Sequence, residues 1–255
     1  MDREGRVLVD GMSTVGTGDR QKILQKTEPN SVAARYDDVL RMTRQQRREL
    51  VNGMKVVYIY HNTIDAVGDE SKTEKGVFKA CEDAVRQLTS LLKLIVNDMQ
   101  GTEVYITADH GFLDTYSPLD ENEKIGREVF DGEIRAIGRR YALTAPETTA
   151  QYLLPVNLTG QLQDSRVMGY APGQTIRIKT GGAGQNYVHG GISLQEMAVP
   201  VIHFKNHKAG SKHCVQAAKA GIVLINESRL VSNSIFSLDF LQKEPVGDKV
   251  LPCKY

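Results

Sequence analysis

The sequence predicts an α/β protein with a parallel sheet, and three stretches of the chain carry this prediction. Two short apolar, β-branched runs, Lys55–Tyr60 and Val104–Ile106, have the composition of buried strands. Between them, Lys72–Gln100 has apolar side chains at intervals of three and four residues, which is the pattern of an amphipathic helix. A strand, a helix and a strand in this order are typical of a right-handed βαβ unit with parallel strands.

The composition excludes several classes of protein. Of the 255 residues, 40% are hydrophobic and 25% are charged, which excludes disordered and fibrous chains. Charges interrupt the apolar runs before the roughly 18 residues that a membrane span needs, and no signal peptide opens the chain, so we expect a cytoplasmic protein. A net charge of +1 gives no global attraction to nucleic acid. The three cysteines have no metal-ligand spacing and are predicted to be reduced thiols: Cys81, Cys214 and Cys253.

The amino-terminal part of the chain offers two interpretations of one polar cluster. Arg6–Gly11 predicts a strand that enters a turn, and a short helix is expected from Thr17 to Leu24. Asp10 with Ser13 or Thr14 would suit a metal ligand and a nucleophilic hydroxyl. The alternative is a simple turn, because aspartate, glycine, serine and threonine are the residues that turns prefer.

Polar side chains follow both predicted strands of the βαβ unit. Asp65 and Asp69 come after the first strand, with His61 just before them, and Asp109 and His110 come directly after the second. Parallel strands present their carboxyl ends at the same edge of a sheet, where ligands bind, so these side chains can share one site. Carboxylates and imidazoles suit a divalent ion of the zinc or manganese kind. The alternative is that they cap turns and helices through local hydrogen bonds.

Several other stretches give weaker signals. Ser31–Asn52 and Glu133–Arg140 are predicted to be helical, and their arginines could face solvent or a phosphate. Ser71–Glu74 matches a capping box for the long helix. Residues 145–175 contain three prolines and suggest an insertion or lid of irregular and β structure. Ile176–Lys179 alternates like a half-buried strand.

A further histidine, His189, lies near a glycine-rich stretch. Gly181–Gly184 lacks the Lys-Ser/Thr of a phosphate loop and predicts a flexible turn. Two glycines follow His189 and permit a close backbone approach, as at a ligand, although an ordinary turn histidine is the alternative. Ser193 and Glu196 have the spacing of a capping box ahead of a short helix, and residues 199–202 lead back into the sheet.

The composition changes after Phe204. Residues 205–213 are basic and predict a linker, and Ile222–Ile225 and Ile235–Leu238 predict short strands. Fewer than about fifty residues make a marginal core. We therefore expect one domain at residues 1–205, and a linker with the start of a β-rich segment at 206–255.

Three pieces of the sequence, YIYHNTIDAVGD, TADHGF and HGGISLQE, occur in this order and together resemble the carboxyl half of the PglZ family. This family is a branch of the alkaline phosphatase superfamily found in bacterial phage-defence (BREX) systems. The resemblance covers most of the chain, including VDGMST at residues 9–14. It implies a doubly wound, mostly parallel sheet with two divalent ions, zinc or manganese, at its carboxyl edge. Asp65, Asp69 and His189 correspond to ligands of one ion, and Asp109 and His110 to part of the other.

The same resemblance implies that some parts are missing. In the family, an early aspartate and a Ser or Thr nucleophile lie upstream of the segment that matches residues 9–11, which predicts a sheet that is incomplete at its amino end and a fragment of a larger protein. Asp10 and Ser13 or Thr14 could replace them by composition, but they lie far closer together in sequence than the aspartate and nucleophile of the family, so this is the less favoured alternative. The family chemistry would be that of a metal-dependent phosphatase or phosphodiesterase, with little activity in the isolated chain. Other BREX proteins are the expected partners, with nucleic acid as a candidate substrate and no membrane. The alternative is a non-catalytic assembly module of the defence complex.

Overall fold

A computed structural model describes residues 8–156, 158, 166–181, 186–207, 218–226, 230, 234–247 and 250–252. The chain forms two compact units, Met1–Phe204 and Lys205–Tyr255. We predicted that the first is a partial alkaline-phosphatase-like domain and that the second is a linker with a β-rich segment. Both assignments stay predictions.

Helices and strands alternate through the described residues, in agreement with the α/β class. The helices are α1 (Thr17–Thr27), α2 (Tyr36–Arg41), α3 (Arg44–Val51), α4 (Thr63–Gly68), α5 (Val77–Asn97) and α6 (Leu194–Met197), with 3₁₀ turns at Glu74–Gly76, Glu121–Glu123 and Arg127–Val129. The strands up to the middle of the chain are β1 (Leu8–Val9), β2 (Met12–Ser13), β3 (Ser31–Arg35), β4 (Val56–Tyr60), β5 (Glu103–Thr107), β6 (Leu113–Asp114), β7 (Lys124–Ile125), β8 (Phe130–Asp131) and β9 (Ile134–Ile137). They continue with β10 (Ala142–Thr144), β11 (Thr149–Ala150), β12 (Leu153–Val156), β13 (Met168–Pro172), β14 (Arg177–Ile178), β15 (Tyr187–Val188) and β16 (Val201–Lys205). The second unit contains β17 (Ala218–Lys219), β18 (Ile222–Leu224), β19 (Phe240–Gln242) and β20 (Val250–Leu251).

The hairpin of β1 and β2 explains the first polar cluster of the sequence. Leu8 pairs with Ser13 and Val9 with Met12, in antiparallel register. The two residues between the strands, Asp10 and Gly11, both have positive φ, at 48° and 75°. An Asp-Gly pair in this conformation is the preferred connection of a two-residue hairpin, because glycine and aspartate tolerate left-handed backbone angles. This turn is the alternative that the sequence left open for the cluster.

Residues 31–52 do not form one helix, as the sequence analysis expected. They begin with β3, which pairs in parallel with β4 from Ser31↔Val56 to Arg35↔Tyr60, and continue as α2 and α3. The helical prediction was wrong because pairing with the stronger strand β4 outweighs a weak helical periodicity in the short run that precedes α2.

The arginines of α3 bind the end of another helix. Arg47 donates to the Val39 carbonyl at 2.9 Å and forms an ion pair with Asp98 at 2.9 Å, and Arg44 lies 3.3 Å from the same carboxylate. Asp98 is the residue that ends α5. Cationic side chains stabilise a helix carboxyl terminus, where the last carbonyls lack helical partners. Arg44 and Arg48 also donate to the carbonyls of Asn97 and Asp98, so contacts at the end of α5 account for these arginines rather than a phosphate.

Helix α5 packs on the strands through its apolar face. Leu91 and Met99 at the carboxyl end of this segment join Ala34, Tyr36 and Val39 in one buried cluster, with Val57 and Ile59 of β4 packed against it. The helix begins at Val77, five residues later than predicted, after a 3₁₀ turn. The Ser71–Glu74 capping box is not formed. Glu74 is buried, and its carboxylate accepts the backbone N–H groups of Asn186 and Tyr187 at 3.1 and 3.4 Å.

The described residues form small sheets rather than one doubly wound sheet. β4 is hydrogen-bonded to β3, and β5 to β16, so the two strands of the predicted βαβ unit are not direct neighbours in these sheets. Each has a half-buried face and an exposed face that carries large side chains, such as Tyr58 and Tyr105. The carboxyl ends of both strands nevertheless lead into the same cluster of polar side chains.

An antiparallel β subdomain occupies the middle of the first unit. Its four strands lie in the order β12-β13-β10-β9 over a core of Ile125, Ala142, Leu153, Tyr170 and Ile178. Glu133–Arg140 was predicted to be a helix, and this was wrong: Ile134–Ile137 is strand β9, paired with β10. The β-branched residues at 134 and 137 fit a strand that packs on this core.

The β subdomain is connected through a two-stranded neck. β6 and β15 pair in antiparallel register, Leu113↔Val188 and Asp114↔Tyr187. The Thr115 N–H extends the pairing by donating to the Asn186 carbonyl at 3.1 Å. His110 precedes β6 and His189 follows β15, so the neck brings these two residues near each other.

The second unit has short strands and little burial. β17 pairs in parallel with β20, and β18 pairs antiparallel with β19. Residues 235–238, predicted to be a strand, are not in one, and β19 begins at Phe240. Cys214, Cys253 and Gly182–Gly184 lie outside the described residues. In the portion of the chain that the structure describes, no helix combines the length and hydropathy needed to cross a membrane.

Candidate metal centre

The site is assembled from three segments of the first unit. Asp65 lies on α4, which begins three residues after the end of β4, and His110 lies three residues after the end of β5. His189 follows β15 directly. Asp69 ends α4, and its N–H donates to the Asp65 carbonyl at 2.9 Å, so the two carboxylates are one helical turn apart.

Asp65, His110 and His189 form the tightest cluster. Each offers one potential ligand atom, and these atoms lie within 4.8 Å of one another. His110 Nε2 is 3.7 Å from Asp65 Oδ2. The rings of His110 and His189 are stacked, with centroids 4.1 Å apart and planes inclined by 6°. Two imidazoles and a carboxylate, all half-buried, therefore converge on one point.

Asp69 and Asp109 lie at the border of this cluster. Asp69 Oδ1 is 3.5 Å from His189 Nε2 and 3.1 Å from Arg139 Nη2. Asp109 Oδ1 accepts the His110 N–H at 3.1 Å and lies 3.8 Å from His110 Nε2. The Asp109 side chain is 87% exposed. All five sequence-predicted ligands thus lie in one region, with Asp109 at its solvent side.

The tightest cluster combines residues from both ligand sets that the resemblance implies, and the assignment of the five residues to two ions stays a prediction. His110 was assigned with Asp109 to one ion, and Asp65 and Asp69 with His189 to the other. In the structure His110 lies with Asp65 and His189, and Asp69 is ion-paired with Arg139. The arrangement provides one compact three-residue set flanked by two further carboxylates.

Tyr187 is a residue of the site that sequence reasoning missed. Its hydroxyl donates to Asp65 Oδ1 at 2.5 Å. Burial, followed by the hydrogen bond to Asp65, raises the pKa of Tyr187 well above its ordinary range, so the phenol keeps its proton and acts as a donor. The ring packs tightly against α4, because a Cβ at Gly68 would lie 2.6 Å from two of its carbons. The only sequence signal was its position two residues before His189.

A buried ion pair holds the segment that carries His189. Both oxygens of Glu196 are bound by Arg140, Oε1 by Nε at 3.0 Å and Oε2 by Nη2 at 2.9 Å. The same carboxylate accepts the Gly191 N–H at 2.9 Å and the Ser193 hydroxyl at 2.7 Å. It also accepts the Ser193 backbone N–H at 3.3 Å, which belongs to the predicted capping box of α6. Burial acts to raise the pKa of Glu196, but the hydrogen bonds from Arg140 and Ser193 outweigh it and lower this pKa.

Gly111 joins the loop after β5 to α6. Its N–H donates to the Glu196 carbonyl at 2.8 Å. A Cβ at this position would lie 2.0 Å from the Gln195 carbonyl oxygen, which is backbone and has no freedom to move away. A glycine is therefore needed here for the two backbones to approach, and this contact fixes His110 relative to the segment of His189.

Three other residues singled out in the sequence have local roles in the structure. His61 Nε2 lies 2.6 Å from Gln87 Oε1 and 3.1 Å from the Thr63 hydroxyl, which fits the hydrogen-bonded alternative. Ser13 Oγ accepts the Val15 N–H at 3.2 Å, and Asp10 is 3.8 Å from Lys26 Nζ of α1. These contacts join Ser13 to a residue two positions further along the chain and Asp10 to the next helix.

The comparisons with known proteins identify the family of the chain. A sequence model of the PglZ family, described as the BREX system PglZ alkaline phosphatase-like domain, matches residues 1–204. The chain belongs to the PglZ family. The PglZ motifs named in the sequence analysis contain all the residues of the three-residue cluster.

Two curated relatives match almost the whole chain. The chain is 33% identical over 261 residues to an alkaline phosphatase-like protein PglZ of Bacillus cereus (strain H3081.97), covering 99% of this chain and 29% of that protein. It is 32% identical over 249 residues to an alkaline phosphatase-like protein BrxZ of Escherichia coli O9:H4 (strain HS), covering 96% of this chain and 28% of that protein. The chain thus spans less than a third of the length of these PglZ-type relatives. No solved structure matches it significantly.

Proposed function

We propose that this chain forms the metal-binding part of a metal-dependent phosphatase or phosphodiesterase that acts in bacterial phage defence. The observation that carries the proposal is the convergence of Asp65, His110 and His189, from three separate segments, within 4.8 Å. Membership of a family described as alkaline phosphatase-like and belonging to the BREX system supports both the chemistry and the biological setting.

The donor set fits an ion of the zinc or manganese kind. Two imidazoles and one carboxylate are ligands that catalytic zinc takes, with a further position left open for water or substrate. Asp69 and Asp109 lie beside the same histidines and would offer oxygen donors to a second ion. A bound divalent ion would polarise a phosphoryl oxygen and lower the pKa of a bound hydroxyl or water.

The residues around the cluster would orient a phosphate ester. Arg139 has a side chain that is 13% exposed, donates to the Tyr187 carbonyl at 2.9 Å and lies 3.1 Å from Asp69. A guanidinium at this place matches the geometry of a phosphate group. We propose that the nucleophile comes from a part of the longer proteins that this chain does not match, because the Ser13 hydroxyl is bonded locally to the Val15 N–H. Substrate choice, including nucleic acid, belongs to the whole protein.

A second candidate function is a non-catalytic assembly module that binds other proteins of the defence system. Large side chains are exposed on the strands of the first unit, including Tyr58 on β4, Tyr105 on β5 and Val201 on β16. Exposed apolar surface of this kind often marks a contact with another protein. An assembly role and metal binding are compatible in one chain. A measurement of metal binding shows whether the metal site is retained or vestigial.

The proposed site is tested by metal binding to the 255-residue chain. We expect zinc and manganese to bind in calorimetric titration, and Asp65→Ala and His189→Ala to weaken binding at least about tenfold, since loss of a ligand should cost no less than loss of a supporting contact. His203→Ala and Asp131→Ala serve as matched controls, because both are exposed and lie outside the cluster. Equal affinities for all five proteins would refute the site.

Activity is tested with a chromogenic phosphodiester and phosphomonoester in the presence of zinc or manganese. We expect slow or no turnover by the 255-residue chain alone. A longer protein, extended to the full length of a PglZ relative, should turn over the substrate. Removal of a nucleophile typically lowers rates by several powers of ten. Turnover by the chain alone that is abolished by Ser13→Ala or Thr14→Ala would make those hydroxyls the nucleophile and overturn this part of the proposal.

A further inference from the structure

Tyr187 is fixed in place from several directions. Its ring is fully buried and lies against Gly68 of α4 and the ring of Phe112, whose centroid is 4.9 Å away. Its backbone N–H donates to the Glu74 carboxylate, and its carbonyl accepts from Arg139. Because these contacts hold the side chain, the Tyr187 hydroxyl oxygen has a fixed position.

The Tyr187 hydroxyl gives the two carboxylate oxygens of Asp65 different surroundings. Oδ1 accepts the phenol proton at 2.5 Å, and Oδ2 lies on the side of the histidines, 3.7 Å from His110 Nε2. A carboxylate that is hydrogen-bonded at one oxygen keeps the other for a cation. The carboxylate is also held against rotation, because turning it would break the hydrogen bond of a buried donor.

We propose that Tyr187 is a positioning residue that makes Asp65 a one-oxygen ligand, and that it thereby favours a small four-coordinate ion such as zinc over manganese. This inference rests on the proposed function, since it concerns the same three-residue cluster. Zinc sites are commonly tetrahedral, with three protein ligands and one open position. Manganese favours oxygen ligands in a larger coordination sphere. Removal of the hydroxyl frees Oδ1 to bind the ion as well, which adds an oxygen ligand and loosens the orientation of Asp65.

The test compares Tyr187→Phe with Tyr170→Phe in the full chain. Phenylalanine preserves the packing of the ring against Gly68, so the Tyr187→Phe chain should fold. Tyr170 is the matched control: it is also buried, and its hydroxyl donates to the Thr148 carbonyl at 2.8 Å inside the β subdomain. Zinc and manganese dissociation constants are measured by titration, and the visible absorption spectrum of bound Co²⁺ reports the coordination number.

We expect Tyr187→Phe to weaken zinc binding at least about tenfold, as is typical for the loss of a group that orients a ligand, and to reduce the preference for zinc over manganese. Its cobalt spectrum should shift toward a higher coordination number. Tyr170→Phe should match the wild type in all three measurements, even if it unfolds at a lower temperature.

Unchanged affinities and an unchanged cobalt spectrum in a folded Tyr187→Phe chain would overturn this inference and leave the proposed function standing. An equal loss in Tyr170→Phe would also overturn it, by showing a general effect of destabilisation. A six-coordinate cobalt spectrum in the wild type would contradict the proposed preference of the site for a four-coordinate ion, without any variant. Failure of the wild type to bind metal would instead refute the proposed function, and this inference with it.

Discussion

At Gly68 the site depends on the absence of a side chain. The Tyr187 ring fills the space where a Cβ would lie, with contacts of 2.6 Å to two ring carbons and 2.7 Å to a third. We expect Gly68→Ala to lower the free energy of unfolding by about 1–3 kcal/mol, the usual cost of overpacking, and to weaken metal binding by displacing the phenol. Urea denaturation and calorimetric titration measure the two effects.

Gly18, in the first turn of α1, provides the control for Gly68. A Cβ there meets no heavy atom within 4 Å. Gly18→Ala should therefore be neutral or stabilise the chain by up to about 1 kcal/mol, since alanine is the better helix former. If Gly68→Ala were as stable as Gly18→Ala, the close contact with Tyr187 would be relieved at no cost and this account of Gly68 would be wrong.

Some residues of the site could be recognised in the sequence and others could not, because the roles of the latter depend on partners that are distant in the chain. Asp65 stands out because it lies in the polar stretch that follows an apolar strand, and His110 and His189 stand out because each directly precedes a glycine. Tyr187 and Arg139 do not, since a tyrosine in a strand suits a core and an arginine suits solvent until a carboxylate is placed beside each. Such pairings join residues about 70 or more positions apart, and local patterns carry no information about them.

At the level of elements, the Arg140–Glu196 pair joins the β subdomain to α6 and should make stability pH-dependent. The pKa of Glu196 is lowered from its ordinary 4.5 in the folded chain. A lowered carboxyl pKa contributes stability above the unfolded value, and this contribution is lost as the pH falls through the folded pKa. We expect Glu196→Gln to cost about 3–5 kcal/mol near neutral pH, because it leaves a buried arginine without its carboxylate. The difference from the wild type should shrink below about pH 4.5 in urea denaturation.

Glu121 is the exposed counterpart of Glu196. Hydrogen bonds from Lys179 and Lys124 lower its pKa to about 2, yet its side chain is 75% exposed. Exposed pairs contribute little and are screened by salt. Glu121→Gln should thus change stability slightly at low salt and not at all near 1 M salt. The Glu196→Gln effect should persist there, and its disappearance in salt would contradict the buried character of that pair.

Secondary structure was predictable where a single strong pattern governs a segment. The strand β4 and the helix α5 follow directly from their apolar periodicity. β3 and β9 were predicted to be helical and are strands. Each is four or five residues long and is stabilised by a partner strand, so its conformation depends on pairing that the local sequence does not encode.

At the scale of the whole molecule, the two units should differ in stability. Among the described residues of Lys205–Tyr255, Ala220 is the one buried side chain, and the strands have two or three residues. α5 has 21 residues and buries Val77, Ala80, Ala84 and Leu91. We expect amide hydrogens of β17 to β20 to exchange much faster than those of α5, because small units with little apolar burial open easily. Equal protection in the two regions would contradict this prediction.

The sheet arrangement was the part of the fold that the sequence predicted least well. A βαβ pattern predicts that two parallel strands belong to one sheet, but it does not identify their immediate neighbours. β4 pairs with β3 and β5 with β16, and the latter partner lies about a hundred residues further along the chain. It was predictable that the carboxyl ends of β4 and β5 lead into the same polar cluster, because this depends only on the direction in which the two strands run.

Because β6 and β15 pair in the neck, the distance between His110 and His189 does not depend on how many residues lie between them in the chain. His110 and His189 stand just outside two pairs of strand residues, Leu113↔Val188 and Asp114↔Tyr187. Their spacing is set by these pairs and by the Gly111 contact with Glu196, and not by the segment that leaves and re-enters through the neck. Loops whose ends are held together tolerate changes of length at small entropic cost. The distal loops of the β subdomain can therefore lengthen or shorten during evolution while the two histidines stay stacked, provided that Arg139 and Arg140 keep their carboxylate partners.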